Sequence, residues 1–327
     1  MLSTVDPAEI PRLLRKVLGP RWDFTIDGDR LEICHQDHAT PYCPPRQALP
    51  WPDLLALLEA AFADQGVPCA VCLPLRCGRE TELTISAVQA LDPVLKDGGT
   101  IPYRQGFIPQ PVVRLTAERA ADGSLQDGFL TSFVNTSRVE LIPDLDAYAA
   151  AFDQLLSVLS RLSLHARHIT FHGRLTIWQR RQVEGITLRF DHAGAPLGDL
   201  VLLWNAAHPD RLALDLGTSL ERLAWTRARI PWHHLIFGPL TEAAPYDVLD
   251  AIRTATLLLA NGITPTARGA GSITRRVLQR IPPGTVALGL SRAVRQFSRF
   301  WQGAHPLTGN WQAVAEQMDE QLAENGA

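Results

Sequence analysis

The sequence predicts an α+β protein with a separate helical domain, and two observations carry that expectation. Short strand-like runs separated by turn residues follow one another from residue 168 to 217. From about residue 243 the apolar spacing turns helical and stays so. A chain of 327 residues leaves room for about two domains.

In chain order, PAEIPRLLRKVL (7–18) carries a helical stripe at Ile10, Leu13, Leu14, Val17 and Leu18. WDFTIDGDRLEICH then reads as two alternating runs around Asp27-Gly28, a hairpin signal. A proline-rich stretch, Pro41 to Pro52, reads as a linker, so residues 1–50 form an appended helix plus hairpin. A helix is expected over 52–65, ended by Gly66, with strand-like runs at 67–75 and 82–88. PVVRLT (111–116) reads as a strand joined through the polar turn AADGS to a second one, GFLTSFVNTSRVEL (128–141). A helix over 144–162 precedes strands at 168–172, 185–192, 198–205 and 211–217. The division expected is 1–50, 51–240 and a helical domain, 241–327.

The composition is that of a soluble globular chain, with 46% hydrophobic and 20% charged residues and a net charge of −3. That balance argues against a protein held on nucleic acid by bulk charge alone. No apolar run reaches the roughly 18–20 residues of a membrane span. No signal peptide is visible, so a cytoplasmic location is expected. Lys16 and Lys96 are the only lysines, so phosphate contacts fall to arginine, and no GxxxxGK[ST] loop is present. Cys69 and Cys72, with Cys77, form no closed metal-ligand pattern. Alternation within VPCAVCLPL predicts a strand with buried structural thiols, and no metal site is assigned.

The segment Asp215-Leu-Gly217-Thr-Ser-Leu-Glu221-Arg222 predicts a strand leading through a glycine turn into a helix. A helix start offers unpaired N–H donors, an arginine there can grip a phosphate, and a carboxylate before the glycine can meet an ammonium. Arg114 ends one strand and Phe133 lies on the next, so the pair can hold ATP, with the arginine on the α-phosphate and the ring against adenine. The bland alternatives are an ordinary N-capped helix, a strand-end charge and a core phenylalanine.

Together these strings resemble the catalytic domain of class II aminoacyl-tRNA synthetases, that of alanyl-tRNA synthetase in particular. Helix 52–65 with the following strand resembles motif 1, and TELTISAVQAL (81–91) the segment after it. QPVVRL (110–115) and TSFVN (131–135) resemble the two strands of motif 2, and Asp215 to Arg222 resembles motif 3, Asp-Thr-Gly-Met-Gly-Leu-Glu-Arg. LDAIRTATLLLANGITPTARGAGSITRRVLQRI (249–281) follows the family's helical-domain string. The resemblance implies an antiparallel-sheet catalytic domain that binds ATP with Mg²⁺. On it Arg114 holds the α-phosphate, Phe133 stacks on adenine, Arg222 holds the γ-phosphate and Glu221 is an indirect metal ligand. Asp215 would bind the substrate ammonium and Gly217 would line the amino-acid pocket. Trp178, from Ile-Trp-Gln (177–179), and Asp199, from PLGDLVLLWN, would complete that pocket. The family usually dimerises through motif 1, so a homodimer is also implied.

Departures redirect the function. The acid of the family's Thr-Phe-Phe-Glu is Val134 here, the Gly-Pro-Cys-Gly-Pro loop is missing, and Ser219 replaces a motif 3 glycine. The asparagine that reads the tRNA acceptor stem is Ala267, which offers a base edge no hydrogen bond. With 327 residues, the chain is also expected to lack the family's editing and C-terminal oligomerising domains. The expectation is an ATP-dependent ligase that activates alanine or a similar small amino acid. It would pass the acyl group to an amine or a carrier-protein thiol in a biosynthetic pathway, such as that of a natural product, and would charge no tRNA. Two alternatives stay open: charging of tRNA or a minihelix through Arg268, Arg275 and Arg276, or a catalytically silent regulatory subunit. Arg275 and Arg276 point about 100° apart on a helix, so one is expected to pack against the catalytic domain.

Overall fold

The structure is a computed structural model that describes residues 5–45, 47–77, 80–99, 105–115, 125–282, 284 and 289–326. The AADGS turn lies outside the described residues. The strands are β1 (Trp22–Asp27), β2 (Arg30–His35), β3 (Gly106–Val113), β4 (Ser132–Ile142), β5 (Ile169–Arg174), β6 (Trp178–Arg180), β7 (Val183–His192), β8 (Ala195–Asn205) and β9 (His208–Ser219). They form one sheet in the order β1-β2-β5-β7-β8-β9-β4-β3, with β6 on β7. The pairings β1–β2, β2–β5, β5–β7, β7–β8, β8–β9 and β4–β9 are all antiparallel. The helices are α1 (Glu9–Leu18), α2 (Trp51–Asp64), α3 (Asp92–Leu95), α4 (Leu145–Arg161), α5 (Leu220–Ala228), α6 (Trp232–Phe237), α7 (Tyr246–Ala260), α8 (Ala270–Leu278), α9 (Leu290–Ala304) and α10 (Trp311–Gly326). The protein is thus α+β: a large antiparallel sheet with helices, then a C-terminal helical region, α7 to α10. No helix among the described residues is long and apolar enough to cross a membrane.

Two compact units divide the chain. The first holds residues 1–71, 87–108 and 135–229, and the second holds 72–86, 109–134 and 230–327. In the first, the β1–β2 hairpin turns at Gly28, whose φ of +59° suits glycine, and β2 then pairs with β5. Residues 1–50 therefore supply the edge of the sheet. Alternation along the strands sends Phe171, Ile186, Leu188, Phe190, Leu200, Leu202, Leu214 and Leu216 to one buried face. That face meets α4, where Phe152 packs 5.0 Å from Phe171 and the Tyr148 hydroxyl donates to Leu200 O at 3.2 Å. Asp144 caps α4 by accepting from the Ala147 N–H.

The proline-rich stretch is anchored to this unit. Tyr42 donates its hydroxyl to Arg227 O, and its ring lies 4.5 Å from His192 and 5.4 Å from His168. His192 is fully buried, and neither ring nitrogen has a hydrogen-bond partner among the described residues. Burial first, then the neighbouring His168 and Arg229 charges, depress its pKa from 6.5 to about 3. The folded chain therefore stays neutral at His192 where the unfolded chain takes up a proton. This stability is complete above pH 6.5 and is lost progressively as the pH falls toward 3, by about 2 kcal/mol at pH 5. Urea unfolding at pH 7 and pH 5 should show that loss, and His192→Leu should flatten it. An unchanged slope in the variant would assign the acid sensitivity elsewhere.

In the second unit, α7 is buried from Val248 to Ala260 and packs against α8, α9 and α10. Three of its residues one turn apart hold the chain that enters β4. Asp250 accepts from the Thr131 N–H at 2.9 Å, Thr254 shares a hydrogen bond with Ser132, and Arg253 donates to Ser132 O. The Arg253 guanidinium is buried between the rings of Phe300 and Trp301, 4.4 Å from each.

Several expectations are corrected. Residues 67–75 and 82–88 are not strands. They make only single bridges, Cys69 with Phe107 and Arg76 with Leu83. Pro68 and Pro74 remove ladder donors, and the Asn135 side chain accepts from the Ala87 N–H where a 3₁₀ turn, Ala87–Leu91, begins. The thiols are not buried: Cys43 and Cys69 are exposed, Cys34, Cys72 and Cys77 half-buried, and Val71 is 74% exposed. Burial still pushes the Cys34 and Cys69 thiols up, which disfavours the reactive thiolate. No group of His, Cys, Asp and Glu able to hold a metal occurs among the described residues. Arg275 and Arg276 are both exposed, so neither is packed.

Candidate functional site

The face of the first unit's sheet opposite α4 mixes apolar and polar side chains, and the register shows which of them share it. Asp199 on β8 lies opposite Gly217 on β9, and Val201 opposite Asp215. Across β9, Gly217 pairs with Ser137 and Asp215 with Val139 on β4. On the other side of β8, Arg189 pairs with Asp199 and Thr187 with Val201. Residues two apart on a strand face the same way, so Thr187, Asp199, Asp215, Gly217 and Ser137 belong to one surface.

Trp178 joins that surface from β6. Its indole N–H donates to the Thr187 hydroxyl at 3.0 Å, and its ring lies over Gly185, where a Cβ would come within 2.6 Å of it. The strand spacing puts Trp178 over β7, roughly two strands or about 10 Å from Asp215. It is 36% exposed and therefore a surface aromatic rather than a core residue.

At Gly217 the missing side chain leaves a notch. A Cβ there would lie 3.2 Å from Asp199 Oδ1, 3.5 Å from Ser137 Oγ and 3.9 Å from Asn135 Nδ2. Asn135 is committed as a brace: its Oδ1 accepts from Ala87 N–H and its Nδ2 donates to Thr218 O. Ser137 is fully buried, and its hydroxyl has no partner among the described residues. Asp199 and Asp215 are half-buried. The Tyr148 phenol, on the far side of the sheet, has its pKa raised by burial and then by the Asp199 charge.

The glycine turn expected before the helix is absent. β9 runs on through Gly217 to Ser219, and α5 starts at Leu220 with Ser219 as its cap, accepting from the Arg222 N–H at 3.1 Å. The hydroxyl at Ser219 supplies a capping acceptor, so the chain needs no loop. Arg222 is half-buried in the first turn, whereas Glu221 is fully buried.

Arg114 and Phe133 belong to the second unit. Arg114 follows the last residue of β3, where its N–H donates to Thr131 O at 2.7 Å and its Nε to Ile85 O at 2.6 Å. Its guanidinium stands 5.0 Å from the centre of the half-buried Phe133 ring. One face of that ring is therefore occupied by the cation, so an adenine stacks on the other face or displaces it.

The structure thus gathers Trp178, Asp199, Asp215 and Gly217 on one sheet face, and Arg114 with Phe133 in a second cluster. Sequence reasoning missed Ser137 and the bracing role of Asn135. Their signal, the second strand of the TSFVNTS run, carries no meaning until β9 is laid against it. A half-buried ring beside an arginine fits a nucleotide base and a phosphate. The first-unit face, with two carboxylates, fits a small cation. The fully buried Glu221 does not fit direct metal ligation, so Mg²⁺ would enter as part of the ATP complex. No family model matches the chain, and no curated protein is detectably similar to it.

Proposed function

We propose that the protein activates a small amino acid with MgATP as an aminoacyl-adenylate and passes the acyl group to an acceptor other than tRNA. The observation that carries this reading is the sheet face on which Asp215 and Asp199 flank the Gly217 notch, a place for the ammonium of a small substrate. The substrate carboxylate oxygen would attack the α-phosphorus, forming the P–O bond of the adenylate as the bond to pyrophosphate breaks. An acceptor amine or thiol would then attack the acyl carbon, releasing AMP and giving its proton to water.

This chemistry needs alignment and charge stabilisation rather than a protein nucleophile. Arg114 is the α-phosphate contact of this reading, Phe133 the adenine contact and Arg222 the contact to the triphosphate tail. Asp215 is the ammonium contact, with Gly217, Asp199 and Trp178 lining the amino-acid side. Ala267 at the acceptor-stem position speaks against tRNA as the acyl acceptor.

Amino-acid-dependent exchange of labelled pyrophosphate into ATP, run across a panel of small amino acids, tests the proposal. Exchange with none of them would favour a catalytically silent regulatory subunit. Ribonuclease-sensitive label on total tRNA would favour tRNA charging. Asp215→Asn keeps the shape and removes the charge. It is expected to raise the amino-acid KM at least about 10-fold while leaving the KM for ATP within about twofold. Parallel loss of both would make Asp215 a structural residue.

A further inference from the structure

We propose that the groove between the β1–β2 hairpin and β5 is a second ligand site. Its ligand is a small zwitterion whose ammonium and carboxylate are separated by several carbons, as in 4-aminobutyrate. The groove has a volume of about 420 Å³, within the range of small-molecule sites, and Thr25, Asp27, Arg30, Glu32, His172 and Arg174 are among its lining residues. His172 on β5 stands three strand spacings, roughly 14 Å, from Gly217 on β9, so the groove is distinct from the notch. The site does not rest on the adenylation reading.

Register sets its pattern of charge. Asp27, Arg30 and Arg174 form one cross-strand row, and Thr25, Glu32 and His172 form the next. Two residues along a strand separate the rows, roughly 7 Å. In the first row the two arginines lie directly opposite one another, an arrangement that like charges disfavour. Arg174 is offset by Asp29, 3.0 Å away. Arg30 forms no ion pair among the described residues, not even with Asp27, its neighbour across the hairpin. An anion between the guanidiniums relieves their repulsion, and a carboxylate matches the planar fork of an arginine.

The second row suits the opposite charge. Glu32 is exposed, and its contact there is the Cys34 thiol at 3.8 Å, a weak donor. His172, opposite Glu32, is already engaged: its Nε2 lies 3.2 Å from Asp191 Oδ2. A ligand ammonium therefore meets Glu32 one row away from the arginines that hold its carboxylate. An α-amino acid carries both charged groups on one carbon and does not span the rows, whereas a short carbon chain does.

Calorimetric titration of the intact protein with 4-aminobutyrate, butylamine, butyrate and glycine tests the site. 4-Aminobutyrate is expected to bind at least about 10-fold more tightly than any of the other three, since each lacks one charged contact or the reach to make both. Arg30→Gln should bring its affinity down to that of butylamine, and Glu32→Gln to that of butyrate. Both side chains are exposed, so the fold should survive, with circular dichroism as the control. Each variant removes the advantage of one end of the ligand, which a general loss of structure would not do. Equal binding of butylamine, butyrate or glycine would overturn the proposal. So would no binding of 4-aminobutyrate, or an affinity indifferent to Arg30→Gln.

Pyrophosphate exchange measured alongside separates the two readings. Exchange without groove binding overturns the groove alone, and groove binding without exchange overturns adenylation alone.

Discussion

Arg114→Ala is expected to lower amino-acid-dependent pyrophosphate exchange by about 100-fold or more, with the fold intact. The guanidinium is the group that meets the charge developing on the α-phosphate in the proposed reaction. Loss of one such donor costs about 3 kcal/mol of transition-state stabilisation. The backbone there stays fixed, because the Arg114 N–H to Thr131 O bond does not depend on the side chain and α7 anchors Thr131 and Ser132 independently. Arg114→Lys should rescue little, since an ammonium lacks the planar fork that bonds Ile85 O and presents further donors to phosphate. Exchange kinetics with circular dichroism as the folding control check this. A loss under about fivefold would remove Arg114 from the chemistry.

Gly198→Ala is expected to cost about 3 kcal/mol of stability, the upper end for an overpacked site. A Cβ at this position would sit 2.0 Å from Gly217 O and 3.0 Å from the Phe190 ring. The first obstacle is backbone, so no side-chain rotation relieves it. The strands β8 and β9 would have to part where Asp199 and Gly217 lie opposite one another. Denaturant unfolding should therefore show a large fall in midpoint. In whatever fraction folds, the amino-acid KM should rise more than the KM for ATP. A variant as stable as the parent would show that the two strands can separate here without loss.

The alternation in β5, β7 and β9, the short apolar run of β8 and the helical spacing of α1, α2, α4, α7 and α9 make these elements legible from local pattern alone. That Asp215 ends an apolar run just before Gly217, or that Arg114 closes a strand, is equally local. Each candidate residue could therefore be named one at a time.

Sequence by itself thus determined the α+β class, the helical C-terminal region and the identity of the chemically apt side chains, because each depends on neighbours along the chain. Only the tertiary structure decided which of them share a surface. Ser137 faces Gly217 from 80 residues away, and Tyr42 reaches His192 from 150. It also withdrew expectations that local pattern supported. The alternating VPCAVCLPL run forms no strand, because its prolines lack the donors a ladder needs. Pairing register and burial are set by contacts between distant segments, and no window along the chain contains both partners.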